Sequence, residues 1–167
     1  QVSYRADLLR RAAQCIRDLC QSDPGVEVHA LAHSAGGVFH ALLLQYLTTR
    51  GEIAGGPLKG QDGLDVQVQT CTLWAPACRI DLFKQTYLPA IEAGRIGRFA
   101  LYTLDDKHER DDDCAEIYHK SLLYLVANAG EDPEVPGPVQ PDCGPLLGMQ
   151  KFVRRDATLA ALFSSRA

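Results

Sequence analysis

The stretch "VHALAHSAGG", Val28 to Gly37, sets a hydroxyl nucleophile among some of the smallest side chains in the chain. An apolar run ends in His33 and Ser34 and passes directly into Ala35, Gly36 and Gly37. A serine carried on the sharp turn between a strand and a helix takes an unusual backbone conformation. The turn crowds the residues two before and two after it, so both must be small. Here they are Ala32 and Gly36, and Gly37 extends the clearance. The same turn points the backbone N–H of Ala35 toward the reacting centre, at the positive end of the following helix. An oxyanion developing on an acyl group attacked by Ser34 is stabilised there.

"AHSAGG" closely resembles the nucleophile elbow of lipases and esterases of the α/β-hydrolase superfamily, with Ala32 in place of the first glycine of G-x-S-x-G. The resemblance extends over residues 1–130, which fit the middle of that fold. It implies a three-layer α/β/α arrangement around a parallel sheet, with residues 1–167 as one domain. It also implies serine-dependent hydrolysis of an ester or related acyl bond in a small-molecule substrate, without cofactor or metal. In that family an acid follows the serine, and a histidine follows the acid. Asp105 and Asp106 directly follow "RFALYTL", and Asp106 is favoured. Asp81, after the preceding strand, is the runner-up; its blander role is a helix N-cap. No histidine falls where the resemblance requires one, in a loop after a further strand. His29 and His33 lie on the nucleophile strand, His40 on the next helix, His108 close to Asp106, and His119 in a later helix. The resemblance therefore implies a fragment. It lacks the first strands, whose loop supplies a second oxyanion N–H, and the last strand with its histidine. The rival reading is a non-catalytic α/β module that keeps the turn as architecture and binds a partner.

The elements that must carry these residues are legible in the hydrophobic pattern. Residues 4–21 place Leu8, Ala12, Cys15, Ile16 and Leu19 at helical spacing, and "SDPG" stops the helix. Val26 to His33 reads as a short buried strand. Residues 36–49 are apolar on nearly every side and predict a buried helix. Five glycines from Gly51 to Gly63 mark a loop. Val66 to Ala75 predicts a second strand, Asp81 to Ala93 a helix, and Arg98 to Leu104 a third strand. Asp113 followed by Glu116 predicts a capped helix over 114–129, closed by Gly130. Residues 131–148 hold five prolines and three glycines and read as loop, and a last helix is expected from Asp156 to Phe163. Alternating helices and strands predict a parallel sheet.

Composition narrows the classes. Of 167 residues, 46% are hydrophobic and 23% charged, which is ordinary globular usage. A net charge of -4 gives no reason to expect nucleic acid or an anionic membrane, and no stretch is long enough to span a bilayer. "DDKHERDDD", Asp105 to Asp113, carries the whole of that net charge and reads as a solvated loop. The D-x-[DN]-x-[DN]-G pattern of a calcium loop is missing from it. The six cysteines form no C-x-x-C pair or zinc spacing. Cys15, Cys20 and Cys71 fall in apolar patterns and read as reduced core residues, which favours a cytoplasmic protein.

Overall fold

The structure, a computed structural model, describes residues 2–103 and 145–164, with side chains from residue 7 onward. Asp105, Asp106, His108, Asp111 to Asp113, Cys114, His119, Cys143 and the expected helix over 114–129 lie outside the described residues.

The described chain runs α1 (Val2–Ser22), β1 (His29–His33), α2 (Gly36–Thr48), β2 (Val68–Trp74), α3 (Ile80–Glu92), β3 (Ile96–Tyr102), α4 (Gln150–Arg155) and α5 (Ala157–Ser164). The three strands form one parallel sheet in the order β1-β2-β3, as the alternating pattern predicts. The fold class is α/β.

Strand alternation separates two faces. Ala30 and Ala32 of β1, Cys71 and Leu73 of β2, and Phe99 and Leu101 of β3 point toward the core. Phe83 and Tyr87 of α3 stack on each other at 5.5 Å and both meet Phe99, which Phe163 of α5 also touches. The other face carries His29, Leu31 and His33, with Trp74 and Tyr102 in register with His33. On it Leu31, Trp74 and Tyr102 remain 57%, 46% and 59% exposed. β1 is thus half-exposed, where the sequence predicted a buried strand. Its apolar run is short and its small alanines, not its larger side chains, face the core.

α2 is buried mainly over its C-terminal half, where Ala41, Leu44, Leu47 and Thr48 lie in the core, while Val38 and Phe39 of its first turn are exposed, so the buried helix that the sequence predicted is buried only in part. It is tied to α3 by a buried glutamine. Pro89 lies inside α3 and has no N–H to donate to the carbonyl of Gln85, four residues earlier. Gln45 Nε2 donates to that carbonyl instead, over 2.9 Å, and to the Gly55 carbonyl over 2.8 Å. The N–H groups of Leu64, Asp65 and Val66 cap the last carbonyls of α2, those of Tyr46, Thr49 and Leu47.

Two further expectations need correction. In α1 the buried stripe is Leu9, Ala13, Ile16 and Cys20, while Leu8, Cys15 and Leu19 are exposed. Both stripes have spacing i, i+4, i+7, i+11, so the pattern alone did not choose between them, and Cys15 is not a core residue. Residues 146–149 belong to the interior, where the sequence reads loop: Leu146, Leu147 and Met149 are buried. The last helix is Ala157–Ser164, one residue later at each end than the expected Asp156 to Phe163, and a short helix, α4, precedes it. Asp156 caps α5, its Oδ1 accepting from the Leu159 N–H over 3.2 Å.

Candidate functional site

Ser34 sits at the carboxyl end of β1, where open parallel sheets gather their functional groups. Its φ is +50°, in the left-handed region that serine rarely occupies. Three hydrogen bonds hold its backbone there. Its N–H donates to the Trp74 carbonyl over 3.0 Å, and its own carbonyl accepts from Gly37 N–H and Ala77 N–H, each at 3.0 Å. A non-glycine residue so held costs of order 1–3 kcal/mol and persists only when its surroundings over-determine it.

The small residues do different jobs. Ala32 is buried beneath the turn. A side chain on Gly36 would meet the Ala32 Cβ at 3.6 Å, an ordinary contact. One on Gly37 would come within 2.8 Å of the Pro76 Cβ. The close approach that demands glycine is therefore at Gly37, where α2 passes the loop leaving β2. Tyr87 secures the same point from α3, its hydroxyl donating to the Gly37 carbonyl over 2.7 Å in the core. Burial raises the Tyr87 pKa, so the phenol stays protonated and remains a donor.

At the start of α2 no side chain caps the helix. Gly37 N–H and Val38 N–H turn back to the carbonyls of Ser34 and Ala35. Among the described residues, Ala35 N–H and Gly36 N–H have no acceptor. Two donors thus remain at the positive end of the helix beside the serine, which is what an oxyanion requires.

Among the described residues no histidine is hydrogen-bonded to Ser34. His29 lies about 16 Å away along the strand, and its ring is engaged by Thr70 Oγ1 at 2.8 Å and Glu27 Oε2 at 3.2 Å. His33 is exposed and projects from the sheet beside Trp74. The His40 ring lies tilted against that of Phe39 on α2, 5.9 Å between centroids, and burial lowers its pKa. Asp81 is in the first turn of α3, after the N-cap residue Arg79, and so is not itself the N-cap. Its carboxylate accepts from Arg79 Nε at 2.9 Å and Nη2 at 2.7 Å, and these bonds hold its pKa below the usual carboxylate range. Asp106, the favoured acid, lies outside the described residues. Cys71 and Cys78 are no alternative nucleophiles: burial pushes both thiols up to about 12.

A cavity of about 470 Å³ lies at the other end of the sheet, lined by Thr48, Arg50, Asp65, Ala93 and Arg95 among others. Arg95 there bonds to both the carbonyl and the carboxylate of Asp65, whose φ is +55°. That cluster braces the loop that caps α2. Among the described residues no three His, Cys, Asp or Glu side chains are placed to hold a metal ion, and no helix is long and apolar enough to cross a membrane. No family model matches the chain, and no curated protein or solved structure matches it significantly.

Proposed function

We propose that this chain carries the nucleophile of a serine hydrolase of the α/β-hydrolase type, acting on an ester or related acyl bond. The observation that carries the reading is Ser34 in the left-handed conformation at a strand-to-helix turn, beside two helix N–H groups without acceptors. In this reading Ser34 Oγ attacks the acyl carbon and gives its proton to a histidine. The oxyanion of the tetrahedral intermediate lies on Ala35 N–H; as it collapses the bond from the acyl carbon to the alcohol oxygen breaks, the histidine returns the proton to that alcohol, and the acyl–serine ester remains. Water, activated by the same histidine, then releases the acid; an acceptor other than water would give acyl transfer by the same steps. Asp106 orients the histidine, which is none of the three described ones and follows a further strand. In this reading the full fold has three layers, and the face bearing Leu31, Trp74 and Tyr102, exposed among the described residues, is the one a further layer would cover. The test is turnover of a p-nitrophenyl ester by the full-length protein. Ser34→Ala should abolish it, and equal turnover by both forms would refute the reading.

That exposed face favours one other reading, a module that binds a partner through Leu31, Trp74 and Tyr102 and does no chemistry. It predicts no turnover in either form, and a partner complex weakened by Trp74→Ala.

A further inference from the structure

Residues 145–149, "PLLGM", follow Ser34 by more than a hundred positions, yet they are laced to the loop that holds it. Ile80 N–H donates to the Pro145 carbonyl, Leu147 N–H to the Cys78 carbonyl and Gly148 N–H to the Pro76 carbonyl, all at 2.8–2.9 Å. Leu146 and Met149 form a small apolar cluster of their own, against Ala75 and Ala77. Gly148 presses closest. A Cβ there would lie 2.7 Å from the Pro76 oxygen, 2.8 Å from the Ala75 carbonyl carbon and 2.9 Å from the Pro76 nitrogen. All three are backbone atoms, which cannot swing aside as a side chain does. The loop so gripped is itself strained, with Ala75 at φ +39°. It is also the loop that grips the serine. Ala77 N–H holds the Ser34 carbonyl, and Pro76 fills the space beside Gly37.

From this chain of contacts we infer that residues 145–149 are a positioning strap for Ser34, with Gly148 and Leu146 as its positioning residues. The strap fixes Ala75–Ala77, and that loop fixes the carbonyl of a serine whose own backbone preference is to leave the left-handed region. Loosening the strap lets Ser34 relax, which moves its hydroxyl off line without touching the substrate. The inference rests on the reading of Ser34 as the nucleophile.

The experiment compares Gly148→Ala and Leu146→Ala with Leu159→Ala in the full-length protein. Leu159 is buried in α5 and has no part in the strap, so it controls for general loss of stability. Per folded molecule, the strap variants should lose about tenfold or more in both kcat and the rate of fluorophosphonate labelling, with KM within about twofold, because a small misplacement of a reacting group falls on the chemical step. Leu159→Ala should keep both rates. Wild-type rates in a folded strap variant would overturn the inference while leaving the nucleophile in place, and Leu146→Ala, which adds no clash, decides if Gly148→Ala does not fold. If the wild type itself is not labelled, the nucleophile reading fails, and amide exchange at Ala77 then decides the mechanical half. Faster exchange in Leu146→Ala than in Leu159→Ala supports the strap, and equal exchange overturns it.

Discussion

Pro76 stands where a side chain on Gly37 would have to go, its Cβ 2.8 Å from that position, while Gly36 has room. The glycine pair after the serine is thus not symmetrical. Gly37→Ala should cost about 1–3 kcal/mol by forcing α2 and the Pro76 loop apart, and should impair ester turnover. Gly36→Ala should change stability by less than about 1 kcal/mol, since alanine is the better helix former and its Cβ meets only an ordinary contact. Urea unfolding of both variants checks this. A costly Gly36→Ala with a silent Gly37→Ala would contradict the geometry.

The choice of acid is open to a direct comparison. Asp106→Asn should lower kcat about a thousandfold or more with the fold intact, as loss of an orienting carboxylate does in other triads. Asp81→Asn should leave kcat unchanged and cost at most about 1 kcal/mol, because Asp81 is tied to Arg79 in a half-exposed pair. Asp111→Asn should do almost nothing. A damaging Asp81→Asn would transfer the role to the end of β2.

Asp156 ties the C-terminal helices of the described chain to α3. It caps α5 and accepts from Lys84 Nζ of α3 over 2.6 Å. The Lys84 bond is the main cause holding its carboxyl below the ordinary 3.8, ahead of the cap. A lowered folded pKa means that the contribution is fully present above pH 3.8 and is lost as pH falls through the folded value. Asp156→Ala should therefore cost about 1 kcal/mol near neutral pH, with the gap from wild type closing in acid. Thermal melts across that range would show it, and a gap that widens below pH 3.8 would be incompatible with this account.

The parallel sheet and the turn at Ser34 were legible because each rests on local chemistry: strand and helix periods differ, and only small residues fit around the turn. The buried C-terminal half of α2 was legible for the same reason, in a run apolar on nearly every side, but the exposure of Val38 and Phe39 in its first turn was not. The facing of α1 was not. Leu8 and Leu9, Ala12 and Ala13 give two equally good stripes, and only the position of α2 selects the second. Nor was the strap. "GPLLGM" looks like loop because its proline and glycines obey local rules, while its role comes from contacts with Pro76 and Cys78, about seventy residues away in sequence. The one signal was three large apolar residues, Leu146, Leu147 and Met149, in a segment otherwise rich in turn formers.

As a nucleophile, Ser34 should be open to covalent capture. The full-length protein should be treated with a fluorophosphonate, digested, and its peptides weighed by mass spectrometry. The account predicts one phosphonyl adduct, on Ser34, absent from Ser34→Ala and suppressed by prior unfolding in urea. An unmodified Ser34 peptide, or an adduct that survives Ser34→Ala unchanged, would contradict it.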